Sequence, residues 1–175
     1  PVRKAVNKFL GVAVERPLPK YASQTFPKWF AKYKSKLPED APKVVLFNDT
    51  YVNYHEPHLG KYAVWVLEAL GFRVVAANAG CCCRPAISKG FLEDAKRDGT
   101  KTLKNLDVFA KQGLPIVGIE PSCVSSLKGD LADLVDDEEM ATRVAEHVHP
   151  IEDFIETEVK AGRAKLDLPK AAKKY

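Results

Sequence analysis

Lys43-Val44-Val45-Leu46-Phe47-Asn48 is a short run of apolar, β-favouring residues that begins behind Pro42 and stops at the polar Asn48-Asp49-Thr50. A run of this length between turn formers is the pattern of a buried strand. The next residues decide how that strand is used. Between His58 and Leu70, the residues Leu59, Tyr62, Ala63, Val66, Leu67 and Leu70 recur at helical spacing on one stripe, and Gly71 supplies the stop. Phe72-Arg73-Val74-Val75-Ala76-Ala77 is again strand-like. Strand, helix and strand in about 35 residues form a βαβ unit. The crossover's handedness and the burial it imposes make a parallel sheet the default.

Outward from this unit the pattern continues. Asn78 to Pro85 is a loop holding three consecutive cysteines, and a helical stretch runs from about Ser88 to Lys111, with Gly99 marking a break or kink. Leu114 to Ile119 reads as a third strand with Pro115 near its start, where a missing amide donor matters least. Glu120-Pro121-Ser122-Cys123 then turns into a helix over Cys123 to Val135, and short helices follow over Glu138 to Val148 and Ile151 to Lys160. Upstream, Pro17, Pro19, Pro27, Pro38 and Pro42 break the chain into short pieces, while Phe26, Trp29, Phe30 and Tyr33 recur at the spacing of a helix docked on a core. The expected fold class is α/β, a three-layer domain with a parallel Rossmann-like sheet of at least three strands flanked by helices. Residues 1–42 read as a basic, Pro-interrupted lead-in, 43–162 as a cysteine-rich α/β domain, and 163–175 as a basic C-terminal tail.

The length of 175 residues suits one domain. No run approaches the roughly 18 apolar residues of a membrane span, and Pro1 to Leu10 has no signal-peptide core. A cytoplasmic location is the expectation, and Pro at the first position suggests a processed chain or a piece of a longer one. The net charge of +4 is unevenly spread. Pro1 to Lys43 holds ten Lys/Arg against three acids, and Asp130 to Lys160 holds eleven acids against two bases. Two solvated faces of one domain account for such an asymmetry, and a basic docking surface for a partner is the functional alternative. Aromatics interleave with the lysines as in single-strand binders, but their helical spacing favours core packing, so no nucleic-acid partner is expected. Neither a Gly-x-Gly-x-x-Gly nor a Walker-type loop is present, and a nucleotide site is unsupported.

In an open parallel sheet, ligands lie beyond the carboxyl ends of the strands. The first strand delivers Asn48, Asp49 and Thr50 there, the second Cys81, Cys82 and Cys83, and the third Glu120 and Cys123. Four cysteines are sparse for a disulfide framework, adjacent cysteines rarely pair, and no Cys-x-x-Cys pair exists for structural zinc. Neighbouring thiolates suit a multi-iron cluster, for which soft sulfur ligands are selective. Cys123 at a helix start gains a favoured thiolate. Buried cysteines that merely fill core space are the plain alternative. For His55, His58, His147 and His149, surface or helix-end positions are the expectation; for Glu120, a ligand role stands beside one of holding the turn; Arg84 either balances charge at the site or pairs with a nearby acid.

Three ordered motifs carry a resemblance: Asp49-Thr50-Tyr51-Val52-Asn53-Tyr54-His55-Glu56-Pro57, Cys81-Cys82-Cys83-Arg84-Pro85 and Glu120-Pro121-Ser122-Cys123. Over about Lys43 to Val135 the chain resembles the cysteine-rich CCG domain found in heterodisulfide reductases, in the iron-sulfur component of glycolate oxidase and, most of all, in FAD-linked oxidases with iron-sulfur centres. The resemblance implies an iron-sulfur cluster, 4Fe-4S in type, that accepts electrons from a reduced flavin, with lactate or glycolate as electron source. Cys81, Cys82 and Cys123 fall on its ligand positions. Asn48-Asp49 replaces a cysteine after the first strand, Glu120 replaces the first cysteine of a pair at the third, and Cys83 replaces a glycine. Cys83 as an added thiolate, with oxygen from Asp49 or Glu120, offsets these losses.

The expected function is therefore an iron-sulfur electron-transfer domain of an FAD-linked oxidoreductase, inactive alone. The FAD would lie on a flavoprotein domain or subunit outside this chain, and any peripheral membrane association would come through partners. Two alternatives stay open: a docking module with a degenerate, metal-free site, and a thiol-redox or zinc site built from the same cysteines with Asp49, His55 or Glu120.

Overall fold

A computed structural model describes residues 2–165 except 12, 14 and 16–18. In chain order its elements are α1 (Val2–Leu10), α2 (Phe26–Phe30), β1 (Lys43–Phe47), α3 (Thr50–Tyr54), α4 (Pro57–Ala69), β2 (Arg73–Ala76), α5 (Arg84–Ser88), α6 (Leu92–Ala110), β3 (Ile116–Gly118), α7 (Pro121–Lys128), α8 (Glu138–His147), β4 (Val148–Pro150) and α9 (Ile151–Lys160). The four strands form one sheet in the order β2-β1-β3-β4, parallel throughout. Val45 of β1 aligns with Val75 of β2 on one side and with Ile116 of β3 on the other.

Strand alternation sorts the core into two layers. Val45, Phe47 and Ile116 face a cluster built with Ala95, Leu103 and Leu106 of α6, Val124 and Leu127 of α7, and Val144 of α8. Val44, Leu46 and Val117 face the opposite cluster, with Phe26 of α2, Val64 and Leu67 of α4, and Phe154 of α9. Helices cover both faces, so the three-layer α/β architecture expected from the sequence is the one observed. The aromatic helix of the lead-in also docks as its spacing suggests. Phe26 is fully buried, and Trp29, Phe30 and Tyr33 pack against the same cluster. The expected basic tail lies outside the described residues from 166 onward.

Several elements differ from their expectations. Val148, expected to end a helix, instead opens β4, an edge strand where Pro150 needs no amide donor. The helix expected from Ser88 begins at Leu92 as α6; Ser88 instead ends α5, an unanticipated short helix that starts at Arg84 within the expected loop, and Gly90 at φ +77° lies between the two. The helix expected to reach Val135 stops at Lys128, after which the chain folds back through Leu131 N–H to the Ser126 carbonyl. Short α1 and α3 were not anticipated. Gly99 does not break α6, which is continuous from Leu92 to Ala110. Its role is steric: a Cβ there would stand 2.1 Å from Leu131 Cδ1. The missing side chain is what lets the 129–134 segment lie against the helix.

Candidate functional site

The strand order reverses between β1 and β3, because the chain leaves β1 for β2 on one side and returns to β3 on the other. The carboxyl ends of those strands therefore flank a crevice, the usual ligand position in such sheets. The crevice is a cavity of about 500 Å³ lined by Asp49, Thr50, Tyr51, Cys81, Cys82, Arg84, Pro85, Glu120, Ser122 and Cys123. Three chain-distant turns thus meet at one rim, as the sequence pattern anticipated.

At its centre the Cys82 thiol donates to the Cys123 sulfur over 2.9 Å. Cys82 is buried, Cys123 half-buried and Cys81 exposed, and all four cysteines are free thiols. The backbone around them is tied down from behind. Ser126, fully buried and one turn beyond Cys123 on α7, donates to the Cys82 carbonyl over 2.7 Å. Thr102 of α6 donates to the Cys81 carbonyl over 2.9 Å, and Asn105 to the Ala79 carbonyl over 3.0 Å. Gly80, at φ +124°, allows this approach, since a Cβ would stand 2.6 Å from the Thr102 hydroxyl oxygen. Cys83 does not line the cavity. Its thiol reaches the Cys81 carbonyl at 3.5 Å, and its side chain belongs to the buried cluster beneath. Its φ of 59° is left-handed, a conformation costly for residues with a Cβ, which gives a physical reason for glycine at this place in the motif.

The thiolate that the surroundings favour is that of Cys81. The neighbouring Cys82, Cys83 and Thr50 side chains hold its pKa far below the ordinary thiol range, as does Cys83 N–H, which donates to its sulfur at 3.4 Å, against the opposing effect of burial. Cys82 is shifted upward by its bond to Cys123, by the neighbouring Cys81 and by burial. Cys83 is shifted upward by its bond to Cys81 and by burial.

Asp49 and Glu120 serve as helix caps at this rim. Asp49 Oδ1 accepts from Tyr51 N–H at 2.7 Å and Val52 N–H at 3.1 Å, capping α3. Its Oδ2 is buried without a partner. Burial raises the Asp49 pKa, the capping bonds oppose that, and the nearby Glu120 adds to it. Glu120 Oε1 accepts from Ser122 N–H and Oγ, holding the turn into α7. Arg84 pairs with Asp130 at the cavity edge. His55 Nδ1 donates to the Lys20 carbonyl and its ring lies tilted against Tyr21 and Tyr51, and His58 is exposed, so neither lines the cavity. His147 and His149 are half-buried rather than exposed.

Sequence reasoning missed the supporting polar residues. Asn48 Nδ2 donates to both Asn53 and Asn78 side chains, and Asn78 N–H returns a bond to Asn48 Oδ1, which locks the end of β1 to α3 and to the cysteine loop. Asn53 is visible in the quoted motif, and left-handed Asn78 follows a strand, so both carry a local signal. Thr102 and Ser126 carry little beyond being polar residues on buried helical faces.

An iron-sulfur group can be tested against these donors. Three thiols and an unpartnered buried carboxylate oxygen line one cavity, and that soft, acidic set fits such a group in chemical type. Among the described residues no three His, Cys, Asp or Glu side chains are arranged to hold a single metal ion.

No family model and no solved structure matches the chain. It is 28% identical over 137 residues to a subunit of the anaerobic glycerol-3-phosphate dehydrogenase of Escherichia coli (strain K12), covering 77% of this chain and 35% of that protein. It is 34% identical over 87 residues to lactate utilization protein A of Oceanobacillus iheyensis, covering 49% of this chain and 34% of that protein. With D-2-hydroxyglutarate dehydrogenase of Pantoea ananatis the identity is 32% over 84 residues, 48% of this chain and 8% of that protein. The chain thus spans about a third of the length of the glycerol-3-phosphate dehydrogenase relative. These similarities agree in kind with the FAD-linked, cysteine-rich family that the three motifs resemble.

Proposed function

We propose that this chain is an electron-transfer module of an FAD-linked oxidoreductase, holding an iron-sulfur cluster at the crevice between β1 and β3. The observation that carries the reading is the meeting of Cys82 and Cys123, 41 positions apart, at 2.9 Å in a cavity also lined by Cys81. Its relatives named as dehydrogenases or dehydrogenase subunits support an oxidoreductase module.

Cys81, Cys82 and Cys123 would hold the cluster, with oxygen from Asp49 Oδ2 or Glu120 completing the set. Such a group, when bound, relays single electrons. The chain's own contribution is positioning. Ser126 and Thr102 fix the two cysteine carbonyls, the Asn48 network fixes the loop, and Arg84, paired with Asp130, lines the cavity beside the cysteines. Thiol protons are lost on metal binding, so Cys82 would give up its bond to Cys123. The flavin and the substrate, a 2-hydroxy acid such as lactate or glycolate, belong to a flavoprotein domain or subunit with which this chain would assemble, in the cytoplasm. No helix among the described residues is long and apolar enough to cross a membrane.

Iron and acid-labile sulfide are measured on anaerobically purified protein. Stoichiometric iron and sulfide are expected in the parent, with a large loss in Cys82→Ser and Cys123→Ser but not in His147→Gln. Equal iron in all of them would refute the ligand assignment, and a colourless parent without iron after anaerobic reconstitution would refute the cluster.

A further inference from the structure

We infer that Cys82 and Cys123 are a reversible dithiol/disulfide pair, open to oxidation by low-molecular-weight disulfides. This goes beyond the cluster reading and stands whether or not the same sulfurs hold iron. The sulfurs are 2.9 Å apart, and a disulfide needs about 2.0 Å, a closure small enough for side-chain rotation. The backbone around the pair is held in place. The hydrogen bond from Ser126 to the Cys82 carbonyl joins the cysteine loop to the same helix that carries Cys123, one turn away. Competing pairs are disfavoured. Cys81, Cys82 and Cys83 are adjacent in sequence, the buried Cys83 thiol is directed at the Cys81 carbonyl, and the sulfur in contact with Cys123 is that of Cys82 rather than Cys81.

The cavity gives a small disulfide, RSSR, access to the pair, and Cys123 is the more exposed of the two sulfurs. The Cys123 thiolate attacks one sulfur of RSSR, forming a Cys123–SR mixed disulfide and releasing RS⁻. The Cys82 thiolate then attacks the Cys123 sulfur, breaking that mixed bond, forming Cys82–Cys123 and releasing a second RS⁻. The two thiol protons pass to the two RS⁻, so the protein loses two electrons and RSSR becomes two RSH. Once joined, neither sulfur is free to bind metal, so the pair would act as a redox gate on loading of the site.

The test uses the full chain, chelator-treated until no iron is measurable, then incubated anaerobically with glutathione disulfide. Free thiols are expected to fall by at least two, any further loss being glutathione on the exposed Cys81, and peptide mapping to find Cys82 joined to Cys123. Dithiothreitol should restore all four. The same cross-link is expected in Cys81→Ser and Cys83→Ser, while Cys82→Ser should instead retain glutathione on Cys123. Four thiols remaining, or a cross-link through Cys81 or Cys83 in the parent, would overturn the inference. Neither result bears on iron binding by reduced protein, which the iron and sulfide analysis reads separately.

Discussion

Replacing Gly99 by Ala sets two physical effects against each other. Alanine is the better helix former by about 1 kcal/mol at an interior helix position. In isolation the change should therefore stabilise α6. In the folded protein the new methyl would stand 2.1 Å from Leu131 Cδ1 and 3.0 Å from its Cγ, where carbon atoms prefer about 3.5–4.0 Å. Leu131 is fully buried, so it has no open space to turn into. Overpacking of this kind costs typically 1–3 kcal/mol, and after the propensity gain a net loss of about 0–2 kcal/mol is expected. At this chain length each kcal/mol moves Tm by about 2–4 °C. Leu131→Ala alone should cost about 2–5 kcal/mol, but it also removes the colliding carbons. Gly99→Ala in that background should thus be neutral or stabilising, a coupling of about 1–3 kcal/mol. Thermal and urea unfolding of the four proteins measure the cycle. A rise in Tm for Gly99→Ala alone, or the same loss with and without Leu131, would refute the packing argument.

Ser126→Ala should cost about 1–3 kcal/mol, because it leaves the buried Cys82 carbonyl without its donor; urea unfolding checks this, and an unchanged midpoint would remove Ser126 from the site's support. Asp107, nearly buried on α6, takes two bonds from Arg143 of α8, so Asp107→Asn should lower the urea-derived stability by about 1–2 kcal/mol at neutral pH. Arg143 and Lys111 lower the Asp107 pKa, so the pair's contribution is present above the unfolded value of about 3.9 and lost as pH falls below it; in Asp107→Asn the acid limb of the stability profile should flatten. His149 has a lowered pKa, from burial first and then from Lys128 and His147. The fold therefore favours its neutral form, and stability should fall as pH drops through the unfolded value of about 6.5. His149→Gln should lose less between pH 7.5 and 5.5 in denaturant titrations, and an identical loss in both proteins would exclude His149 as the source.

The sequence by itself determined the α/β class, the first βαβ unit and the three turns that line the crevice. These features are local: apolar runs of strand length, a helical stripe ended by Gly71, and polar residues placed just after each strand. It also marked Phe26, Trp29, Phe30 and Tyr33 as a docking face, since their spacing puts them on one side of a helix. Tertiary structure decided the rest. Val148–Pro150 became a strand only because β3 offers it a free edge, and no three-residue segment announces such pairing. Gly99 looked like a helix breaker because a glycine's local effect is to loosen a helix; only the approach of Leu131 from 32 positions away shows that it makes room. Likewise, a row of three cysteines does not say which sulfur faces the cavity. Cys82 meets Cys123 while Cys83 turns into the core, because the left-handed backbone at residue 83 and the bonds from Ser126 and Thr102 set the course of the loop, and those contacts exist only once α6 and α7 have packed on the same face of the sheet.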